Sequence, residues 1–383
     1  MVAVAYLFKF FIMKKIFCML ASAVITVSLF GQNVLTFPPD GGNKKAMVAE
    51  RIGITDVTIH YDRPGVKGRE GKIWGQLVHV GFIDQGFGSS KAAPWRAGAN
   101  ENTTIEFSTD VKIEGKTLAA GMYGFFIAYD PNESTLIFSK NSTSWGSYFY
   151  RESEDALRVK VKPVATEQSV ERLKYEFINQ SDNASTVALS WEKQMIPFKV
   201  EVDLEKLQFE SIRRELRGEK SFSPGWQPYQ QAARYALEKN MNLEEGLAWA
   251  NQAVRDPFAG DANFVTLSTK AEILSKLNRQ KEADSLMKKA LPMGNMRQVH
   301  QYGRQLLAVK KNAEALEVFK MNYQKNPDQY TTLMGLTRGY SGTGDFKNAL
   351  KYANMASAAA TSQGDKEFVQ GLINKLKEGK DVN

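Results

Sequence analysis

Residues 93–107 read Ala-Pro-Trp-Arg-Ala-Gly-Ala-Asn-Glu-Asn-Thr-Thr-Ile-Glu-Phe, which puts an indole, a guanidinium, amides, carboxylates and hydroxyls into one short stretch. Two chemistries compete for them. In the first, Arg96 offers a planar fork to a carboxylate or phosphate, Trp95 gives a flat apolar platform, and Asn100, Glu101 and Thr103 add polar contacts. In the second, the run is a turn whose polar groups satisfy one another. Trp95 anchors it in the core, Arg96 pairs with Glu101 or Glu106, Gly98 takes a positive φ, and Asn100 closes an Asx turn.

The chain has three histidines: His60, His79 and His300. His60 and His79 fall in the same half as this stretch, with Asp62 and Arg63 beside the first. With Glu101 or Asp62 they could form an acid/base pair, so a hydrolase or lyase built around His79, Arg96 and Glu101 is the alternative to a pure binding site. Their spacing matches no metal-ligand pattern, and neither a metal nor a cofactor is expected. Gly88-Ser89-Ser90 lacks the flanks of a nucleophile elbow, so a triad of Ser89, His79 and Asp84 has nothing to specify it. Gly65-Val-Lys-Gly-Arg-Glu-Gly71 has the glycine content of a phosphate loop without its Gly-Lys-Ser/Thr ending, and reads as a hairpin or an exposed basic loop.

The elements that must position these groups change character along the chain. From about 47 to 202 the apolar residues alternate, as in Val57/Ile59/Tyr61, Ile105/Phe107, Val111/Ile113, Leu157/Val159/Val161, Val187/Leu189/Trp191 and Ile196/Phe198/Val200/Val202. Gly and Asx residues punctuate these runs, and the pattern predicts an antiparallel β-sandwich over 32–203. Arg158, Lys160 and Lys162 would give one strand a basic, solvated face. At Asp203, a plausible N-cap, the period becomes helical through Leu204, Leu207, Ile212 and Leu216, with a stop at Gly218 and a Ser-Pro-Gly break after it. Residues 204–225 thus read as a helix and linker.

From 226 to 383 the helical pattern repeats. Tyr302 and Leu336, Leu306 and Tyr340, and Ala315 and Ala349 are each 34 residues apart, the period of a tetratricopeptide repeat. A shorter-linked copy runs through Ala271, Leu274, Ala283, Met287 and Ala290, with a degenerate one before it, and Phe368–Leu376 reads as a capping helix. Such an array presents a concave surface to a protein partner, lined here by Gln301, Arg304, Gln305 and Arg338 from the first helix of each pair; a rigid spacer is the competing use. The fold class is therefore α+β in two domains, a β-sandwich followed by an all-α tetratricopeptide-like array.

The first half resembles the family known as domain of unknown function 2911. The residues that carry the resemblance are Asp56–Arg69 (DVTIHYDRPGVKGR), Ile73–Val78 (IWGQLV), Pro94–Thr104, Leu118–Tyr123 (LAAGMY) and Asn141–Tyr148 (NSTSWGSY). The resemblance spans about 35–203 and implies an exported envelope protein with no established activity; the tail is similar to the helical-repeat extension of some members. This chain departs from the shorter pattern in Gly81–Ala93, a loop that could cover or reshape whatever Arg96 faces, and in His79, where proline is more usual.

Address follows from the N-terminus. Lys14-Lys15, an apolar stretch from Ile16 to Phe30 and the small Gly31 read as a signal peptide over 1–31 with a start at Met13 rather than Met1. The apolar stretch is roughly fifteen residues against the ~20 a spanning helix needs, so no stable membrane span is expected after processing. Cys18, the chain's single cysteine, sits too early in that stretch for lipidation and would be lost with it, which excludes cysteine chemistry and suits a periplasmic or secreted protein. The net charge of +8 loses three lysines with the same segment, and no long basic run remains to favour nucleic acid. The partners expected are a protein on the repeats and a small molecule or glycan on the β-domain.

Overall fold

The computed structural model describes residues 42–221 and 223–383; the expected signal segment, residues 1–31, lies outside the described residues. The chain divides into two compact units between Gln208 and Phe209. Among the described residues no helix is long and apolar enough to cross a membrane.

The first unit holds two antiparallel sheets. The larger has the order β1 (Lys44–Ile52), β2 (Thr55–Arg63), β3 (Thr103–Phe107), β6 (Gly121–Ala128), β7 (Ser134–Ser139), β8 (Asp155–Val161). The smaller runs β5 (Lys116–Leu118), β4 (Val111–Ile113), β10 (Ala184–Glu201), β9 (Val164–Ile178). Their inner faces meet through Phe125, Phe138 and Phe198, with ring centroids 5.2–6.0 Å apart. The alternation in β2, where Thr55, Val57, Ile59 and Tyr61 are buried, is what one core-facing surface requires. By contrast, β6 is apolar almost throughout because its outer face is also covered: Phe126 and Ala128 pack with Ile137 under Tyr150.

Two of the residues expected to give β8 a basic, solvated face are held in ion pairs, and Lys162, just past the strand, is exposed. Arg158 pairs with Asp155 at 2.6 Å and Glu152 at 2.9 Å, and Lys160 with Glu133 at 2.7 Å. In β10 the ladder slips on both sides of Glu192, whose φ is +51°. This bulge re-aims the neighbouring Trp191, and the Glu192 carboxylate accepts a hydrogen bond from the Gly71 N–H.

Ten helices follow. The first, α1 (Leu204–Glu215), begins where the Asp203 carboxylate accepts from the Lys206 N–H at 3.1 Å. Helices α2 (Gln227–Lys239) and α3 (Leu243–Arg255), α4 (Phe264–Lys276) and α5 (Gln280–Ala290), α6 (Met296–Ala308) and α7 (Asn312–Lys325), and α8 (Tyr330–Gly342) and α9 (Phe346–Ala359) form successive hairpins, and α10 (Gln363–Lys377) caps them. Capping boxes start two of them: Asn263 with Thr266 at α4, and Asn295 with Gln298 at α6. The hairpins close tightly where small residues meet large ones, with Gly303 and Gly335 both set against the fully buried Phe319. On α10, Val369, Leu372, Ile373 and Leu376 face inward and the opposite face is solvated.

Candidate functional site

The stretch 93–107 enters the β-domain as a short isolated strand and leaves as β3. Trp95 exchanges backbone hydrogen bonds with Ile127 at 2.9 and 2.8 Å, and its indole N–H donates to the Gly98 carbonyl at 3.2 Å. The next residues turn sharply. Ala97 and Asn100, not Gly98, carry the positive φ values, 51° and 56°. Ala97 is held there because its carbonyl accepts from both Thr103 Oγ1 (3.1 Å) and Tyr175 Oη (2.7 Å). Gly98 is required for space instead, since a Cβ there would meet Thr103 Oγ1 at 2.6 Å. The Asn100 side chain makes no Asx turn; it donates to Asp62 Oδ1 and accepts from Asn43 Nδ2, both at 3.2 Å.

Arg96 pairs with neither Glu101 nor Glu106. Its Nη1 donates to the Asn100 carbonyl at 2.6 Å, and its guanidinium carbon lies 5.1 Å and 5.2 Å from the ring centres of Trp145 and Tyr148. Those rings are parallel within 10°, and the turn between them brings Gly146 flush against the guanidinium, where no Cβ would fit. Glu101 turns away to Lys45, 2.8 Å distant. The bond to Lys45 draws the Glu101 carboxyl below its usual pKa, whereas burial, then a hydrogen bond to Glu101, raises that of Asp62.

Trp95, Arg96 and Asn100 open onto a cavity of about 450 Å3, within the range of small-molecule sites. His79, Arg69, Gln85, Trp145, Ser147, Tyr148 and Trp191 complete its working surface. Trp95 and Trp191 stack with centroids 6.3 Å apart and planes 19° apart, and Trp74 packs edge-on against both. Among the described residues, four polar atoms of these side chains are buried without a hydrogen-bond partner: both ring nitrogens of His79, Gln85 Oε1 and Trp191 Nε1. Burial dominates at His79 and lowers its pKa against smaller opposing contributions from the Val80 and Gly81 backbone, so the ring is neutral at pH 7. Among the described residues no Asp or Glu lines the cavity, while Arg69 and Arg96 both do. It is therefore cationic, with indole walls.

Of the residues singled out in sequence, His79, Trp95, Arg96 and Asn100 come together here. Thr103 lies beneath as a support. His60 is exposed on β2 between Met47 and Thr104 of the neighbouring strands, and Arg63 is a strut whose Nε donates to the Leu173 carbonyl at 2.9 Å. The loop 81–93 contributes Gln85, whose Nε2 reaches Ser147 Oγ at 3.3 Å. Arg69 folds inward from its glycine-rich loop by donating to the carbonyls of Val66 (2.9 Å) and Gly65 (2.6 Å). The signal for Trp145 and Tyr148 was present in the Trp-Gly-Ser-Tyr motif; Trp191 carried none beyond strand alternation. Among the described residues no three His, Cys, Asp or Glu side chains gather as metal ligands.

In the helical unit a groove of about 510 Å3 runs along α2, α4 and α6, with Arg234, Glu272, Ser275, Lys276, Tyr302 and Gln305 on its walls. Gln301 and Arg304 are exposed on α6 outside that lining. Arg338 on α8 is largely buried and donates to the Val382 carbonyl at 3.1 Å; burial, then the nearby charge of Arg304, lowers its pKa. His300 packs on Phe319 at 5.5 Å, and burial, with Arg304 and Arg338 next, pulls its pKa down to about 4.

No curated protein matches the chain. Among solved structures it is similar to YrrB, described as a TPR protein with an unusual peptide-binding site, at 18% identity over 45% of this chain and 86% of that one, with a TM-score of 0.30. It is also similar to MamA 41-end from Desulfovibrio magneticus RS-1, at 16% identity over 42% and 95%, with a TM-score of 0.27. With TM-scores this low, neither likeness bears on what this chain does. Residues 43–200 match the family described as "Protein of unknown function (DUF2911)", and the helices that follow them form an array of tetratricopeptide-like hairpins.

Proposed function

We propose that the protein is an exported binding scaffold whose β-domain cavity holds a small anionic ring compound, such as an acidic sugar, while its helical array engages a protein partner. One observation supports the ligand above all others: among the described residues the cavity is lined by two guanidinium groups, three indoles and no carboxylate. An anionic ring ligand fits such a lining. Its carboxylate suits Arg96 and Arg69, and the apolar face of its ring suits the indoles of Trp95, Trp145 and Trp191.

A hydrolase or lyase centred on His79, Arg96 and Glu101 is less well supported, because the Glu101 carboxylate lies outside the cavity lining and is held by Lys45. The test is thermal melting of the exported protein with glucuronic acid against glucose. Glucuronic acid should raise the melting temperature, glucose should not, and Arg69→Gln should abolish the difference. Equal stabilisation by the neutral sugar, or none by either, overturns the anionic reading.

A further inference from the structure

Residues Asp381–Asn383, which follow α10, do not trail into solvent but lie along α8. Ser341 Oγ donates to Asp381 Oδ1 at 2.6 Å and accepts the Val382 N–H at 3.0 Å. Arg338 Nη1 donates to the Val382 carbonyl at 3.1 Å, and the Asn383 side-chain amide donates to the Arg338 carbonyl at 3.0 Å. The Val382 side chain is 8% exposed, packed in the cluster that contains Leu333, Leu372 and Leu376. Both backbone groups of Val382, its side chain and both flanking side chains are thus engaged at once. Extended-peptide recognition works in this way, with main-chain hydrogen bonds for affinity and a pocket for one side chain.

The place where this happens continues the groove. Glu272, Arg304 and Arg338 are each the ninth residue of α4, α6 and α8, and Ser275 and Ser341 are each the twelfth of theirs. Glu272 and Ser275 line the groove, so Arg304 occupies the same face one hairpin further along, and Arg338 and Ser341 two hairpins further along. Charge changes sign along that face. Glu272 is matched by Arg234 at 3.1 Å, whereas Arg304 has no carboxylate within ion-pair distance among the described residues and lies near enough to Arg338 to act on it electrostatically. Beside two guanidinium groups, Asp381 is the carboxylate that the resident segment supplies.

We infer that the α6–α8 face is a docking site for an acidic extended peptide, and that Asp381–Asn383 is its intramolecular occupant, displaced when a partner segment with an acidic residue beside an apolar one arrives. The inference rests on the array's being an interaction scaffold and names the partner's chemistry; it is independent of the β-domain cavity. Arg338 and Ser341 read the backbone and the acidic side chain, the Val382 pocket takes the apolar one, and Arg304 pairs with a second acidic residue that the resident segment lacks.

The experiment measures binding of a fluorescent peptide, Asp-Glu-Asp-Val-Asn, to the full chain by anisotropy. Val382→Asp should unseat the resident segment and tighten binding about tenfold, the factor expected if the seat is occupied some nine-tenths of the time. A second variant lacking residues 380–383 should behave alike, which covers the case in which Val382→Asp disturbs the cap. Arg304→Gln in either background should weaken binding about tenfold. No binding to the tail-free variant, or equal binding to it and to the wild type, overturns the proposal. Cross-linking of the same variants in envelope extract separates the two failures: a captured partner indifferent to Arg304→Gln sinks this seat and leaves the scaffold standing, whereas no capture at all sinks the scaffold.

Discussion

Replacing Arg96 by lysine separates the two roles that its position allows. The guanidinium makes one hydrogen bond, to the Asn100 carbonyl at 2.6 Å, and lies over Trp145 and Tyr148 at 5.1 and 5.2 Å. A hydrogen bond with a charged donor contributes about 1.5–3 kcal/mol, and a partly buried cation–π contact about 0.5–2 kcal/mol. Lysine keeps the charge and one donor but loses the plane that fits between Gly146 and the rings, so the expected net loss is about 2 kcal/mol. For a unit of this size that lowers the melting temperature by about 4–8 °C. Because no carboxylate is left behind, the ~3–5 kcal/mol of a broken buried ion pair does not apply, and the loss should be the same at low and high salt. Thermal melting of wild type and Arg96→Lys at both salt concentrations is the assay. An unchanged melting temperature refutes the stacking, and a larger, salt-sensitive drop refutes the absence of an acidic partner.

Two further outcomes follow from the helical unit. His300 has a folded pKa of about 4 against an ordinary 6.5, so its contribution to stability is complete above pH 6.5 and is lost as pH falls toward 4. The gap corresponds to about 3 kcal/mol, and urea unfolding should show His300→Gln losing less stability than wild type over that interval; parallel curves would refute it. Gly335→Ala sets a Cβ 2.6 Å from Phe319 Cδ1, and Phe319 is fully buried. Overpacking of about 1–3 kcal/mol outweighs the gain of about 1 kcal/mol in helix propensity, so this variant should melt lower. Gly371→Ala in the open face of α10, where a Cβ meets nothing within 4 Å, should melt higher; the reverse order would refute the packing argument.

Some of this protein was written in local pattern. Alternation in Val57–Tyr61 and Ile196–Val202 and the helical period after Asp203 are properties of neighbouring residues, since a strand with one buried face and a helix with one buried stripe each impose their own spacing. The 34-residue offset survived for the same reason: each hairpin meets its neighbour in the same way, so Ala315 and Ala349, 34 residues apart, are both fully buried. The near-continuous apolar run of β6 fell outside the alternation because a residue 24 positions on, Tyr150, covers the outer face of Phe126. The candidate site was legible only in part. Trp95, Arg96 and Asn100 are local to one turn, and His79 stood out by rarity. Their partners come from Arg69, Trp145 and, through a bulge in β10, Trp191, and no spacing along the chain encodes that convergence. Arg96 and Glu101 looked like a pair because they are five residues apart. The backbone turns at Ala97 and Asn100 send one to the aromatic rings and the other to Lys45, and the choice between them is decided by tertiary packing, because an ion pair follows distance in space rather than along the chain.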